Sequence, residues 1–317
     1  MSFMDTLLGK PIASGDAEEQ KIGPVAAVPV LGLDGLASAA YGPEAAMTVL
    51  IPLGAAGLAF LSPLMGILLV LLAILYVSYR QTMAAYPTGG GSYTVSKENL
   101  GTQAGLVAAA ALLLDYVLVA AVGISAGIGA LLSAFPALHD YRLILCLAVL
   151  ALITYVNLRG VKESGAAFFV PTYGFIAALG VTLVIGLVKT AMAGGNPAPV
   201  IAPPPLEAAT QTGAIAWLLV RAFASGCTAM TGVEAVSNAM SAFRAPVVKN
   251  AQATLTIIVA TLAVLLTGIA YLANVYHIGA TPPEGSGYES VVSQLTKAIT
   301  GGGLWYYVVM LDRKSVV

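Results

Sequence analysis

Four carboxylates, Asp34, Glu44, Asp115 and Glu234, fall within or at the edge of long apolar stretches, and Arg221 joins them. An ionised carboxylate at the centre of a bilayer costs about 3 kcal/mol even on the milder insertion scales, so four acids in one chain need a polar interior to face. The chemistry open to such groups is ion coordination and proton relay. Two of them sit beside helix-breaking residues. Asp34 lies among Gly32, Gly35, Gly42 and Pro43, and Glu234 follows Gly226 and Gly232. Proline removes a helix hydrogen-bond donor and glycine tolerates unwound backbone. Carbonyls freed at that depth survive only where they line a cavity. The segments Tyr41-Gly42-Pro43-Glu44 and Thr231-Gly232-Val233-Glu234 share the pattern x-G-x-E at a separation of 190 residues, and Ser38 and Thr228 then coincide as well. Interrupted helices in matching positions of two halves are where inverted-repeat transporters bind their substrates. Asp115 has a second reading, as a structural partner of Arg221. Glu44 and Arg221 lie toward the outer ends of their stretches, within reach of the interface.

Other chemistries find no support. His139 and His277 are single histidines without metal-ligand spacing, and no Ser-His-Asp or Cys-His arrangement is visible, so an enzyme is not expected. Gly89-Gly90-Gly91 lacks the strand, lysine and hydroxyl-bearing helix of a phosphate loop. Cys146 and Cys227 both lie in apolar stretches and read as helix packing. No cofactor is expected, and these residues offer no metal-ligand cluster.

The elements that must position the acids follow from composition. The chain has 317 residues, 58% apolar and only 9% charged, with a mean hydropathy of +0.89. A soluble domain carries roughly 25% charged residues, so lipid must cover most of this surface. A net charge of −1 gives no bias toward nucleic acid. The 34 glycines and 17 prolines suit membrane helices with functional breaks. A hydrocarbon core of about 30 Å needs roughly 20 helical residues. Eight apolar runs qualify, near 24–52, 57–79, 103–134, 142–158, 165–190, 213–240, 251–275 and 301–317. The tail Met1–Gly23 is too polar and too long for the start of a cleavable signal and reads as cytoplasmic. With the N-terminus inside, the inner side receives Lys10, Lys21, Arg80, Lys97, Arg159, Lys162, Arg244 and Lys249, and the outer side only Arg142, Lys189 and Lys297.

Between the runs, Pro87–Ser92 breaks the chain before a short interfacial helix over Tyr93–Leu100. Asn196–Pro205 reads as an extended external loop, and Tyr288–Ile299 has the spacing of an amphipathic helix lying outside. The stretch Gly301–Leu311 spans only about 16 Å of helix before Asp312-Arg313-Lys314. Asp312–Val317 is expected to be a non-native tail.

Gly32–Glu44, Pro87–Tyr93, Asp115–Gly127, Asn157–Gly165 and Ser225–Asn238 together resemble the amino acid–polyamine–organocation transporter superfamily, and within it the branch of KimA-type potassium–proton symporters. The resemblance implies an all-α, polytopic fold with a 5+5 inverted repeat, like that of leucine transporters. On that template, residues 24–190 are a complete first repeat, 191–212 an external loop and 213–311 an incomplete second repeat. The family's cation site, carried over, falls on Asp34, Tyr41, Asp115, Tyr116, Thr231 and Glu234. Gly32, Gly35, Ser38, Gly42, Thr228 and Gly232 support it as broken-helix positions. The chain departs from the family at Val119 and Gly123, where hydroxyl residues are frequent, and so offers two fewer oxygen ligands.

The sign of the charge bears on the substrate. An amino acid's carboxylate is usually held on backbone N–H groups at a Gly-x-Gly break, whereas Gly32-Leu33-Asp34-Gly35 places an acid there. Unit charges about 4 Å apart interact by roughly 4 kcal/mol at an effective dielectric of 20. Asp34 therefore repels a substrate carboxylate and attracts a cation or a proton. The expected function is proton-coupled uptake of potassium or a similar small cation, and the alternative is a proton-coupled amino acid or polyamine permease on the same fold. The expected setting is a bacterial cytoplasmic membrane, with lipid, substrate and protons as partners, a homodimer compatible and nucleic acid excluded.

Overall fold

The computed structural model describes residues 21–158, 161–210, 213, 215–283, 285 and 287–316, with the side chains of 136, 161–167 and 311–316 outside the description. The N-terminal tail up to residue 20 and residues 159–160 of the Asn157–Gly165 motif therefore lie outside the described residues, as do the side chains of its last five residues.

The described residues are all-helical apart from one isolated β-bridge. The first apolar run forms two helices, α1 (Pro24–Leu31) and α2 (Leu33–Leu50), bent by 52° at Gly32. A 3-10 turn, Ile51–Leu53, leads to α3 (Ala55–Ala85), whose 31 residues exceed the thickness of a bilayer core. After the glycine loop come α4 (Gly91–Leu100), α5 (Thr102–Ala134), α6 (Arg142–Asn157) and α7 (Val161–Met192). The remaining helices are α8 (Ile215–Gly226), the single turn α9 (Ala235–Asn238), α10 (Val247–Val275), α11 (Val291–Thr300) and α12 (Leu304–Val316).

Among the described residues, five helices are long and apolar enough to cross a membrane, and six spans result if the bent pair α1–α2 counts as one. The protein is a multi-pass membrane protein. Two of the eight expected spans are shorter than a crossing. The sixth is an apolar helical segment over Ile215–Met230 that ends where Thr231 turns extended and Gly232 takes a φ of +77°. The eighth is the 13-residue α12, because Gly301-Gly302-Gly303 delays its start to Leu304.

Packing sorts these helices into a sheltered group and a lipid-facing group. The main core gathers α2, α3, α7 and α10 around Leu36, Leu61, Leu68, Leu179, Leu255 and Leu262, all fully buried. A smaller cluster, Ile124, Ile128, Leu131 and Leu132, joins α5 to α6. Leu113, Val117, Leu143, Ile144 and Val70 stay exposed, as side chains do when hydrocarbon is the solvent. The helix α1 is tied down at its start. Ile22 pairs with Phe243 in the isolated bridge, Tyr173 of α7 donates to Val25 O at 2.9 Å, and Thr254 of α10 donates to Pro24 O at 3.3 Å.

Candidate functional site

The two breaks meet. Gly32 ends α1 and starts α2, which places Asp34 in the first turn of α2. Opposite it, the chain unwinds from the 3-10 turn Cys227–Met230 through Thr231 and Gly232 to Glu234, which begins α9. A Cβ on Gly232 would collide with the Asp34 carboxylate, so the backbone of the sixth run approaches that acid as closely as only glycine permits. Tyr41, two turns along α2, donates its hydroxyl to Asp34 Oδ1 at 3.4 Å. Thr231 lies within hydrogen-bond reach of the same carboxyl and donates to Thr228 O at 2.9 Å. Its one hydroxyl proton is thus shared between that carbonyl and the carboxyl.

Glu234 and Asp115 are the nearest charged neighbours of Asp34, and Asp115 also faces Glu234. Glu234 Oε1 is buried and has no hydrogen-bond partner among the described residues. A buried carboxylate oxygen without a donor is costly, and a cation or proton supplies what is missing. No ion pair joins Asp115 to Arg221 among the described residues, and Arg221 is exposed on α8.

Tyr116 is 42% exposed, and its hydroxyl accepts from Asn238 Nδ2 at 2.6 Å. Asn238 ends α9, and its Oδ1 is turned on Gly91 so tightly that no side chain fits there. The glycine loop before α4 therefore docks against the broken sixth run. Tyr79 of α3 lies near Glu234, Asp115 and Tyr116 and bonds Ser92. Asn238, Tyr79 and Ser92 were not anticipated from the sequence. Only Asn238 left a signal, as an amide one helical turn after an intramembrane acid.

A cavity of about 400 Å³ opens beside the breaks. Asp34, Tyr116, Asn157 and Gly232 contribute its polar wall, while Val119 and Gly123 contribute apolar surface. Tyr41, Asp115, Thr231 and Glu234 are not part of the wall itself; they stand behind it.

Three supporting positions require correction. Gly35, Ser38 and Gly42 lie inside α2, which stays helical from Leu33 to Leu50 and through Pro43. The first break is confined to Gly32. The three residues instead pack α2 onto the sixth run. Ser38 Oγ lies 2.7 Å from Gly35 O and 2.8 Å from Ala229 O, sharing one proton between them. A Cβ on Gly42 would meet Ala229, and one on Gly35 would press against Thr231 O. Thr228 sits in the 3-10 turn and bonds Ser225 O at 2.7 Å.

A family model described as amino acid permease matches residues 35–312. The chain belongs to the amino acid permease family. That family comprises membrane transporters and not enzymes. Among known relatives, the potassium transporter KimA of Bacillus subtilis (strain 168) is 43% identical over 304 residues, which are 96% of this chain and 49% of that relative. The chain thus spans about half the length of the relative it matches. The match to the permease family begins at Gly35, three residues beyond the first break, and takes in the second break entirely.

Proposed function

We propose that this permease-family chain belongs to a secondary active transporter that takes up potassium or a similar small cation together with protons. The observation that carries this reading is the meeting of Asp34 and Glu234 at the two helix breaks beside one cavity. Asp34 and Glu234 supply negative charge, Tyr41 and Thr231 supply neutral oxygens, and Asp115-Tyr116 closes the group from α5. An acidic site with hydroxyl and carbonyl ligands suits a hard cation, and acids in close company exchange protons readily because each disfavours the other's charge. The relative's name supports potassium as the cargo.

The same reading takes residues 24–190 as the first unit of a 5+5 inverted repeat and 213–311 as part of the second. It also places the N-terminus inside a bacterial cytoplasmic membrane. The paired x-G-x-E segments support the repeat, and the excess of lysine and arginine on one side supports the orientation.

One observation favours a second reading. Apart from Asn157, the cavity's remaining wall is apolar, with Leu31, Ile124, Leu150, Ile153 and Phe168. A chamber with one acidic wall and one aliphatic wall also fits an organic ammonium group, as in an amino acid or polyamine permease. Asp34→Asn, expressed from the intact gene, is expected to abolish rubidium uptake at unchanged membrane abundance. Normal uptake by this variant would remove Asp34 from the site. Competition separates the substrates: an excess of amino acid or polyamine is expected to leave rubidium uptake unchanged.

A further inference from the structure

Of the two acids that share the x-G-x-E pattern, Glu234 is at the breaks and Glu44 is not. Glu44 is 8% exposed near the outer end of α2. Both its oxygens are engaged by residues far along the chain. Tyr288 donates its hydroxyl to Oε1 at 2.7 Å, and the Val291 backbone N–H donates to Oε2 at 3.2 Å. Val291 is the first residue of α11, so the carboxylate sits where a helix presents free N–H groups and the positive end of its dipole. Next to it, Ser290 N donates to Ser133 Oγ of α5 at 3.2 Å. The starting end of α11 is therefore fastened to the helix that bears Asp34 and to α5.

The far end of α11 is fastened elsewhere. Lys189 of α7 donates from Nζ to Ile299 O at 2.6 Å, and Val200 of the external loop donates to Ala298 O at 2.8 Å. Lys297 is held within the same segment by Glu289 at 2.7 Å. Between these ends, Val291, Val292, Leu295, Ala298 and Ile299 are fully buried. Thus α11 is seated across the bundle, bonded at one end to the helix that carries Asp34 and at the other to α7.

We infer that Glu44 is the latch of an outer lid formed by α11, and that opening the site to the outside requires the Glu44 contacts to break. The inference rests on the transporter reading above. Asp34 and Glu44 are ten residues apart on the unbroken α2, about 15 Å along its axis. A shift of α2 on cation binding reaches the latch as movement of a rigid rod. Contacts to an ionised acceptor are roughly twice as strong as neutral ones, which suits a lid that must stay shut until the rod moves.

The test uses Ser133→Cys as a reporter beneath the lid, in a chain where Cys146 and Cys227 are replaced by alanine. Ser133 is 8% exposed and sits under the start of α11. A membrane-impermeant maleimide is added to sealed cells expressing the intact gene. Glu44→Ala is expected to raise the labelling rate about tenfold or more, as loss of hydrogen bonds to a charged group predicts. Tyr288→Phe, which removes one of the two contacts described above, is expected to raise it less. Equilibrium rubidium binding should stay within about twofold of the parent, since the Asp34 site lies about 15 Å away along α2. Labelling of Glu44→Ala at the parent rate overturns the inference. Should Glu44→Ala fail to reach the membrane, Glu44→Gln and Tyr288→Phe decide it, and parental labelling in both overturns it equally. The labelling contains no substrate, so a parent that binds no rubidium would remove the transporter reading and still leave the latch to be judged on its own.

Discussion

Gly232 shows how much of the site depends on one missing methyl group. Its φ of +77° costs an L-residue roughly 1–2 kcal/mol, and a Cβ there would also strike the Asp34 carboxylate. Gly232→Ala is therefore expected to raise the KM for rubidium by about tenfold or more, the equivalent of about 1.4 kcal/mol. Helix content and membrane abundance should stay at the parental level. Gly180→Ala makes the control, since a Cβ on Gly180 meets nothing within 4 Å. Equal KM values for the two variants would show that Asp34 and Gly232 do not need their close approach. Asp34 and Glu234 were legible as residues because charge in an apolar run is expensive wherever it occurs. Asn238 and Tyr79 were not, because an amide and a phenol cost far less in such a run and acquire meaning only from what the fold sets beside them.

Among the elements, the first break separates what a sequence can state from what packing decides. Gly32, Gly35, Gly42 and Pro43 all weaken a helix by intrinsic preference, yet the backbone gives way only at Gly32. Tertiary contact overrides preference at the other three. Gly42 brings α2 against Ala229, and Ser38 spends its hydroxyl on Ala229 O. Pro43 forgoes one hydrogen bond inside a helix that neighbours hold straight. Gly42→Val should accordingly destabilise by about 1–3 kcal/mol through overpacking, read as a lower midpoint of thermal unfolding in detergent. Pro43→Ala restores an N–H to a continuous helix and should leave the midpoint unchanged or raise it. A fall with Pro43→Ala would mean that the proline is needed for a bend in α2. Among the described residues, six of the eight expected spans were readable from apolar run length alone. The ends of the other two were not, since Gly301-Gly302-Gly303 and the turn at Thr231-Gly232 set them through local conformation and not through hydropathy.

At the scale of the whole molecule, the bundle holds its charge in the middle and fastens α1 and α11 at opposite ends. Tyr173, Thr254 and the Ile22–Phe243 bridge secure the start of α1, and Glu44 and Ser133 secure the start of α11. Such a molecule fits a carrier that exposes one site alternately, because a path fastened at both ends cannot conduct freely. The energetic consequence is measurable. With the membrane potential clamped at zero, each pH unit of inward proton gradient supplies about 1.4 kcal/mol per proton, enough for roughly tenfold accumulation of a cation carried one to one. In vesicles bearing the protein, rubidium is expected to accumulate above its external concentration when the outside is acidified. The accumulation should collapse when a protonophore dissipates the gradient. A channel responds differently, since it lets rubidium equilibrate and leaves the final internal concentration indifferent to pH. Accumulation that ignores the proton gradient would therefore separate the acids at the breaks from any role in coupling, even if Asp34 proved necessary for the cation itself.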